Sequence, residues 1–123
     1  MTDTYRQTIG KNAEHEACAF LEAKGFRLIK PNFRCKMGEI DLVMQDGADL
    51  VFVEVRKRSR QDYGSALQSI DKNKQRKLIK AATYYLLEKK LYNKIGCRFD
   101  VITINAPSSI EWIKNAFSVD SFL

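Results

Sequence analysis

Two acidic residues stand in strand-like runs that a tight turn would fold against each other. The first run is Gly38-Glu39-Ile40-Asp41-Leu42, the second Phe52-Val53-Glu54-Val55-Arg56-Lys57-Arg58. Ile40, Leu42 and Met44 alternate with Glu39, Asp41 and Val43 at the period of a strand, and Val51, Val53 and Val55 repeat the pattern. Asp46-Gly47-Ala48-Asp49 reads as the hairpin turn between them. With Gln45 set against Leu50, Asp41 lies opposite Glu54, Glu39 opposite Arg56 and Val43 opposite Phe52. The other face then pairs Ile40 with Val55, Leu42 with Val53 and Met44 with Val51 in one apolar layer. Like charges directly opposed, with Cβ atoms about 5 Å apart, repel. A divalent cation would remove the repulsion, and Mg²⁺ is commonly held by one or two carboxylates with water and phosphate oxygens around it. The competing reading is two solvated carboxylates at a sheet edge. Glu54 interrupts the apolar run from Val51 to Val55, which favours the metal.

Other chemistry gathers around this pair. Arg56 follows Glu54 by two residues and shares its face. It can hold a phosphate or stabilise charge on the group being cleaved, and it can equally pair with Glu39. Arg58 and Arg60 leave the second strand, and Lys72, Lys74, Arg76, Lys77 and Lys80 follow, with Tyr63 and Gln75 among them. Such a set suits phosphate contacts, which position a nucleic acid without reading its sequence. The plainer reading is a solvated helix face. Glu14 flanks an apolar stripe and becomes a third ligand only if its helix packs across the polar face of the hairpin. His15 is the single histidine and reads as a surface residue, so no Ser-His-Asp or Cys-His set can be assembled. Gly10 and Gly25 form no phosphate-binding glycine loop.

The elements that must position these residues follow from the same patterns. Residues 11 to 24 read as a helix with Ala13, Ala17, Phe20 and Leu21 on one stripe, stopped by Gly25. Phe26 to Ile29 reads as a first strand ended by Pro31-Asn32. After the hairpin, residues 59 to 71 read as a loop with one short helical turn. A long helix spans Lys72 to Lys90, with Leu78, Ile79, Ala82 and Leu86 inward and Asp71 as its cap. Arg98 to Ile104 is another strand. The tail from Ile110 to Phe117 reads as a short strand followed by a helical turn. Helix, three strands, helix and strand make an α/β layer arrangement with a mixed sheet, and the long helix permits one parallel crossover.

The 123 residues support one domain, 1–123, with its own core. A net charge of +6 points to an anionic partner. No apolar run approaches the ~20 residues of a membrane span, and the N-terminus lacks a secretion signal's apolar core. Cys18, Cys35 and Cys97 fit no zinc pattern and read as reduced, buried thiols of a cytoplasmic protein.

The chain resembles the YraN family of small bacterial proteins. The resemblance covers nearly its whole length. It rests on Gly38-Glu39-Ile40-Asp41-Leu42, Val51-Phe52-Val53-Glu54-Val55-Arg56, Lys74, Ala81 to Leu86, Arg98-Phe99-Asp100-Val101 and the tail from Glu111 to Phe117. It implies a restriction-endonuclease-like fold, a central mixed β-sheet flanked by helices, similar to archaeal Holliday junction resolvases. That superfamily uses a helix glutamate, a strand aspartate and a Glu-x-Lys pair on the next strand. By position these are Glu14, Asp41, Glu54 and Arg56. Ala13-Glu14 stands where the family often has Gly-Glu, and Arg56 replaces the lysine of the nuclease signature. Arginine keeps a positive charge but cannot be deprotonated, so it cannot serve as a general base.

Three functions follow. The first is nucleic-acid binding on a scaffold of nuclease ancestry, with Arg56, Arg58, Arg60, Lys72, Lys74, Arg76 and Lys77 on phosphates. The second is an active endonuclease on DNA, with Mg²⁺ or Mn²⁺ held by Asp41 and Glu54, assisted by Glu14, and with Arg56 completing the catalytic set. The third is a protein-interaction module with a basic face. Nuclease relatives of this type often dimerise to meet two strands, so a homodimer is a further expectation of the resemblance.

Overall fold

The computed structural model describes residues 5–59, 64–106 and 109–118, with side chains described from residue 12 onward. Helix α1 (Tyr5–Ala23) leads into β1 (Arg27–Cys35), β2 (Gly38–Asp46) and β3 (Asp49–Arg58). A 3₁₀ turn (Leu67–Ser69) and helix α2 (Lys72–Glu88) then lead to β4 (Cys97–Asn105) and β5 (Ser109–Phe117). The five strands form one sheet in the order β1-β2-β3-β4-β5. All neighbours are antiparallel except β3 and β4, which run parallel across the α2 crossover.

Both faces of the sheet are covered. Ala13, Ala17, Cys18 and Leu21 of α1 pack on Leu42, Met44, Val51, Val53, Ile102 and Ile104. Leu78, Ala81, Ala82, Tyr85 and Leu86 of α2 pack on the opposite face, over Phe33, Ile40, Val43, Phe52, Phe99 and Val101. Central strand β3 therefore reads as a continuous apolar run, because each of Val51, Phe52 and Val53 meets a helix. Burying each such side chain contributes about 1.5–3 kcal/mol.

Local signals set the element ends. Gly25 takes φ +96°, and the Phe26 N–H donates back to the Leu21 carbonyl, which closes α1. Gly47 supplies the positive φ of the Gly47-Ala48 turn. Asp71 caps α2, its carboxylate accepting the Lys74 N–H at 2.8 Å. Three expectations are corrected. β1 does not end at Pro31-Asn32 but runs to Cys35; it is an edge strand, where proline removes no ladder bond that the sheet needs. The tail forms no helical turn, because β5 pairs with β4 as far as Phe117. Cys97 is exposed at the start of β4, and Cys35 is only half-buried.

The hairpin register holds from Gln45↔Leu50 to Leu42↔Val53 and stops there. Beyond that point β2 stays paired with β1 as far as Gly38↔Cys35, while β3 stays paired with β4 as far as Arg58↔Asn105. The sheet forks. The expected layer joining Ile40 to Val55 is therefore absent: Ile40 packs under α2, whereas Leu42 and Met44 pack under α1. Strict alternation breaks at Asp41, the residue between them.

A buried polar network ties the other side of the sheet together. Asp100 is fully buried and accepts hydrogen bonds from Arg98 Nε (3.0 Å), Trp112 Nε1 (3.0 Å) and the Asn115 N–H (2.9 Å). Arg98 also reaches Asp46 Oδ2 at 3.0 Å and lies over the Phe26 ring. Trp112 meets Phe20 and Phe26 edge-on, which joins β5 to α1. Removing one member of such a buried pair leaves the other uncompensated. Asp100→Ala is expected to lower stability by about 3–5 kcal/mol, read as a lower urea midpoint at unchanged m-value.

Candidate metal centre at the sheet fork

Asp41 sits where the strands part. Its Oδ2 accepts the Val55 N–H at 2.8 Å, so a side chain takes the place of a ladder partner on β3. On one side of it stands Glu14, brought across the sheet by α1. Ligand oxygens of Glu14, Glu39 and Asp41 all lie within 4.8 Å of one another, and all three residues are half-buried. On the other side stands Glu54, which is 4% exposed. α1 thus does pack across the polar end of the hairpin, the condition on which Glu14 depended.

Neighbouring side chains hold this group. The Asn32 amide, oriented with its nitrogen toward Glu14, donates to both carboxylate oxygens at 2.9 and 3.2 Å. Asn32 adopts φ +52° between the ladder pairs Pro31↔Leu42 and Phe33↔Ile40, and so faces the Asp41 position. Glu39 pairs with Arg34 of β1 at 3.4 Å. Lys74 Nζ, in the first turn of α2, lies 3.3 Å from Glu54 Oε2. That approach lacks hydrogen-bond alignment, and the buried oxygen has no hydrogen-bond partner among the described residues.

The crowding shows in the protonation of the carboxyls. Glu14 is raised to about 7, first by burial and then by repulsion from Asp41 and Glu39, with Asn32 pulling against them. Glu54 is raised to about 9, first by burial and then by Asp41, with Lys74 offsetting part of the rise. Both shifts make the uncharged acid the comfortable form, which is the expected result of negative groups sharing a poorly solvated site.

The sequence-predicted residues divide accordingly. Glu14, Asp41 and Glu54 come together, with Asp41 in the middle. Asp41 and Glu54 meet across the fork rather than as a ladder pair. Arg56 is half-buried on β3 and does not pair with Glu39, which Arg34 holds instead. Lys72, Arg76 and Lys77 are exposed on the first turns of α2, and Arg58 donates to the Gly64 carbonyl. Arg60 and Tyr63 lie outside the described residues. Gln75 does not join the basic face; it is buried, and its amide donates to the Ile70 carbonyl.

Two participants, Glu39 and Asn32, are additions to the predicted site, and Lys74, expected on phosphates, stands beside Glu54. Glu39 could have been found, since it precedes Asp41 by two residues on one strand. Lys74 stands three residues after the cap Asp71, but only packing aims it at Glu54. Asn32 carries no sequence signal, because its role requires β1 to run on beside Asp41.

A forked mixed sheet, one helix on each face and an acidic group at the fork define an α/β protein of the restriction-endonuclease-like class. Residues 13–104 match the family described as "Uncharacterised protein family UPF0102". A UPF0102 protein of Coxiella burnetii is 48% identical over 114 residues, covering 93% of this chain and 95% of the relative. One from Herminiimonas arsenicoxydans is 51% identical over 113 residues, 92% and 89% of the two chains. One from Hahella chejuensis is 50% identical over 112 residues, covering 89% and 90%. The chain belongs to the UPF0102 family, the YraN proteins that its motifs resemble. Among the described residues no helix is long and apolar enough to cross a membrane.

The raised carboxyls set a pH dependence. A group whose folded pKa lies above its unfolded value, here 4.5, contributes stability that is fully present below pH 4.5 and lost as pH rises through the folded value. Without divalent cations, the melting temperature should therefore fall from about pH 5 through 7 and on toward 9. Glu54→Gln should flatten the upper part of that fall. Mn²⁺ should raise the melting temperature more at pH 8 than at pH 6, because protons and metal compete for the same oxygens.

Proposed function

We propose that this protein binds nucleic acid and hydrolyses phosphodiester bonds in DNA with a divalent cation, Mg²⁺ or Mn²⁺. The observation that carries the reading is the convergence of Glu14, Glu39, Asp41 and Glu54 at the fork, with Lys74 beside them. The donor set suits a hard cation, being all carboxylate oxygen. Two carboxyls pushed above their ordinary range mark a place where ionisation is penalised and where a cation would make it favourable. Asp41, Glu14 and Glu39 would hold the ion, with Glu54 adjoining. When bound, the ion would neutralise phosphate charge and make a water more acidic.

The chain's own residues would do the remaining work. The Val55 N–H fixes one oxygen of Asp41 and leaves the other available to the site. Glu14, held by the Asn32 amide, would bring its carboxylate from α1 to the same site as Asp41 and Glu39. Lys74 would supply a positive charge from α2, beside Glu54, while Arg56 fills the strand position where the nuclease signature carries a lysine. An ammonium beside the acids would stabilise charge that develops on the phosphate. The exposed cations Lys72, Arg76 and Lys77 on α2 suit backbone contacts that set register without reading bases.

Cleavage of labelled linear and branched DNA with Mg²⁺ or Mn²⁺ tests the proposal. Asp41→Asn should abolish cleavage, and Lys74→Met should slow it about 10²-fold with binding largely retained. Lys77→Ala should leave the cut position unchanged and reduce the slope of log affinity against log salt by about 1. Binding by the wild type without cleavage of any substrate would leave a non-catalytic nucleic-acid-binding protein. Absence of binding would leave the protein-interaction reading.

A further inference from the structure

A groove runs along the outer side of β1, between that edge strand and the C-terminal half of α2. Its main hollow, about 520 Å³, is within the range of ligand sites and is lined by Lys30, Arg34, Tyr85 and Lys89, among others. A second hollow of about 430 Å³ adjoins it through Arg34 and Glu88 and adds Lys36 and Tyr84. The two hollows carry four cations, of which Lys89 approaches Glu88 at 3.7 Å and Arg34 approaches Glu39 at 3.4 Å. Lys30, Arg34 and Lys36 lie on or just beyond the edge strand and are exposed. Tyr84 is 43% exposed, and its ring is tilted against buried Phe33 at 6.2 Å, so the core supports it from behind.

The groove is continuous with the acidic group. Arg34 lines both hollows and pairs with Glu39. Asn32 lines the larger hollow and holds Glu14. A polyanion lying along the cations would therefore be led to the fork. A positive groove with an exposed, supported aromatic ring is the combination that binds single strands, where phosphates meet cations and an unstacked base meets a ring face. A duplex keeps its bases stacked inside and offers Tyr84 no such surface.

We infer that the β1–α2 groove binds a single-stranded polynucleotide arm, with Tyr84 stacking on a base, and delivers the strand to the acidic fork. This rests on the nuclease reading and narrows its substrate to nucleic acid with an unpaired segment. The α2 cations Lys72, Arg76 and Lys77 remain for the paired part.

The full chain is titrated into fluorescein-labelled oligodeoxyuridylate, oligouridylate and a blunt DNA duplex, with Ca²⁺ in place of Mg²⁺, and anisotropy is read. Tyr84→Ala should weaken binding of the preferred oligomer about tenfold and leave duplex affinity unchanged. Tyr84→Phe, which keeps the ring, should bind as the wild type does. The tighter of the two oligomers identifies the sugar. Lys30→Glu combined with Lys89→Glu should weaken single-strand binding and flatten its salt dependence. Equal oligomer affinity in wild type and Tyr84→Ala would overturn the inference. So would a wild type that holds duplex and neither oligomer, an outcome that leaves the nuclease reading standing. A wild type that binds no nucleic acid would overturn both.

Discussion

A single hydrogen bond, from the Val55 N–H to the Asp41 carboxylate, fixes the shape of the site. Along an ordinary hairpin a strand N–H finds a carbonyl on its neighbour. Here a side chain intervenes, and the β2–β3 ladder ends one pair short of Asp41. The backbone donor remains satisfied, as a buried N–H must be. The strands can then diverge, each still paired on its outer side. The fork admits Glu14 from one helix layer and Lys74 from the other, which an intact ladder would keep apart.

The arrangement is electrostatically unfavourable without a partner. Four carboxyls from α1, β2 and β3 occupy one region, and nearby cations balance them in part. Arg34 holds Glu39 and Lys74 stands by Glu54, yet Glu14 and Glu54 remain well above their ordinary pKa values. Perturbed groups gathered in a cleft are a recognised mark of functional sites. Surrounding packing keeps the cluster from relaxing. Gly38 begins β2 so close to Lys77 that a Cβ there would stand 3.3 Å from its carbonyl oxygen. The Asp71 cap sets the first turn of α2, and with it the backbone of Lys74.

The far side of the sheet uses polar burial differently. Asp100, Arg98, Trp112 and Asn115 satisfy one another and join β4, β5 and α1. Their motif is as conspicuous in the sequence as the acidic one, and its role is structural. The contrast lies in satisfaction: Asp100 accepts from three residues, whereas Glu54 retains an oxygen with no hydrogen bond among the described residues.

Much of the fold could be read from the chain. Period-two runs gave the central hairpin with its register as far as Leu42↔Val53, and the Asp71 cap and apolar spacing gave α2. The mixed sheet followed from element order. The readings that failed were β1 and the tail, where edge pairing overrode local signals from Pro31-Asn32 and around Trp112. Asp41 and Glu54 were legible because a charge interrupts an apolar period. By itself the sequence determined which strands exist and that two carboxyls must lie near each other, since alternation and turn chemistry are local. Tertiary structure decided the fork, the entry of Glu14 and Glu39, the approach of Lys74 and the support of Asn32. Those depend on which elements pack across one another, and that is set by burial of both sheet faces at once, a constraint no short stretch of sequence contains.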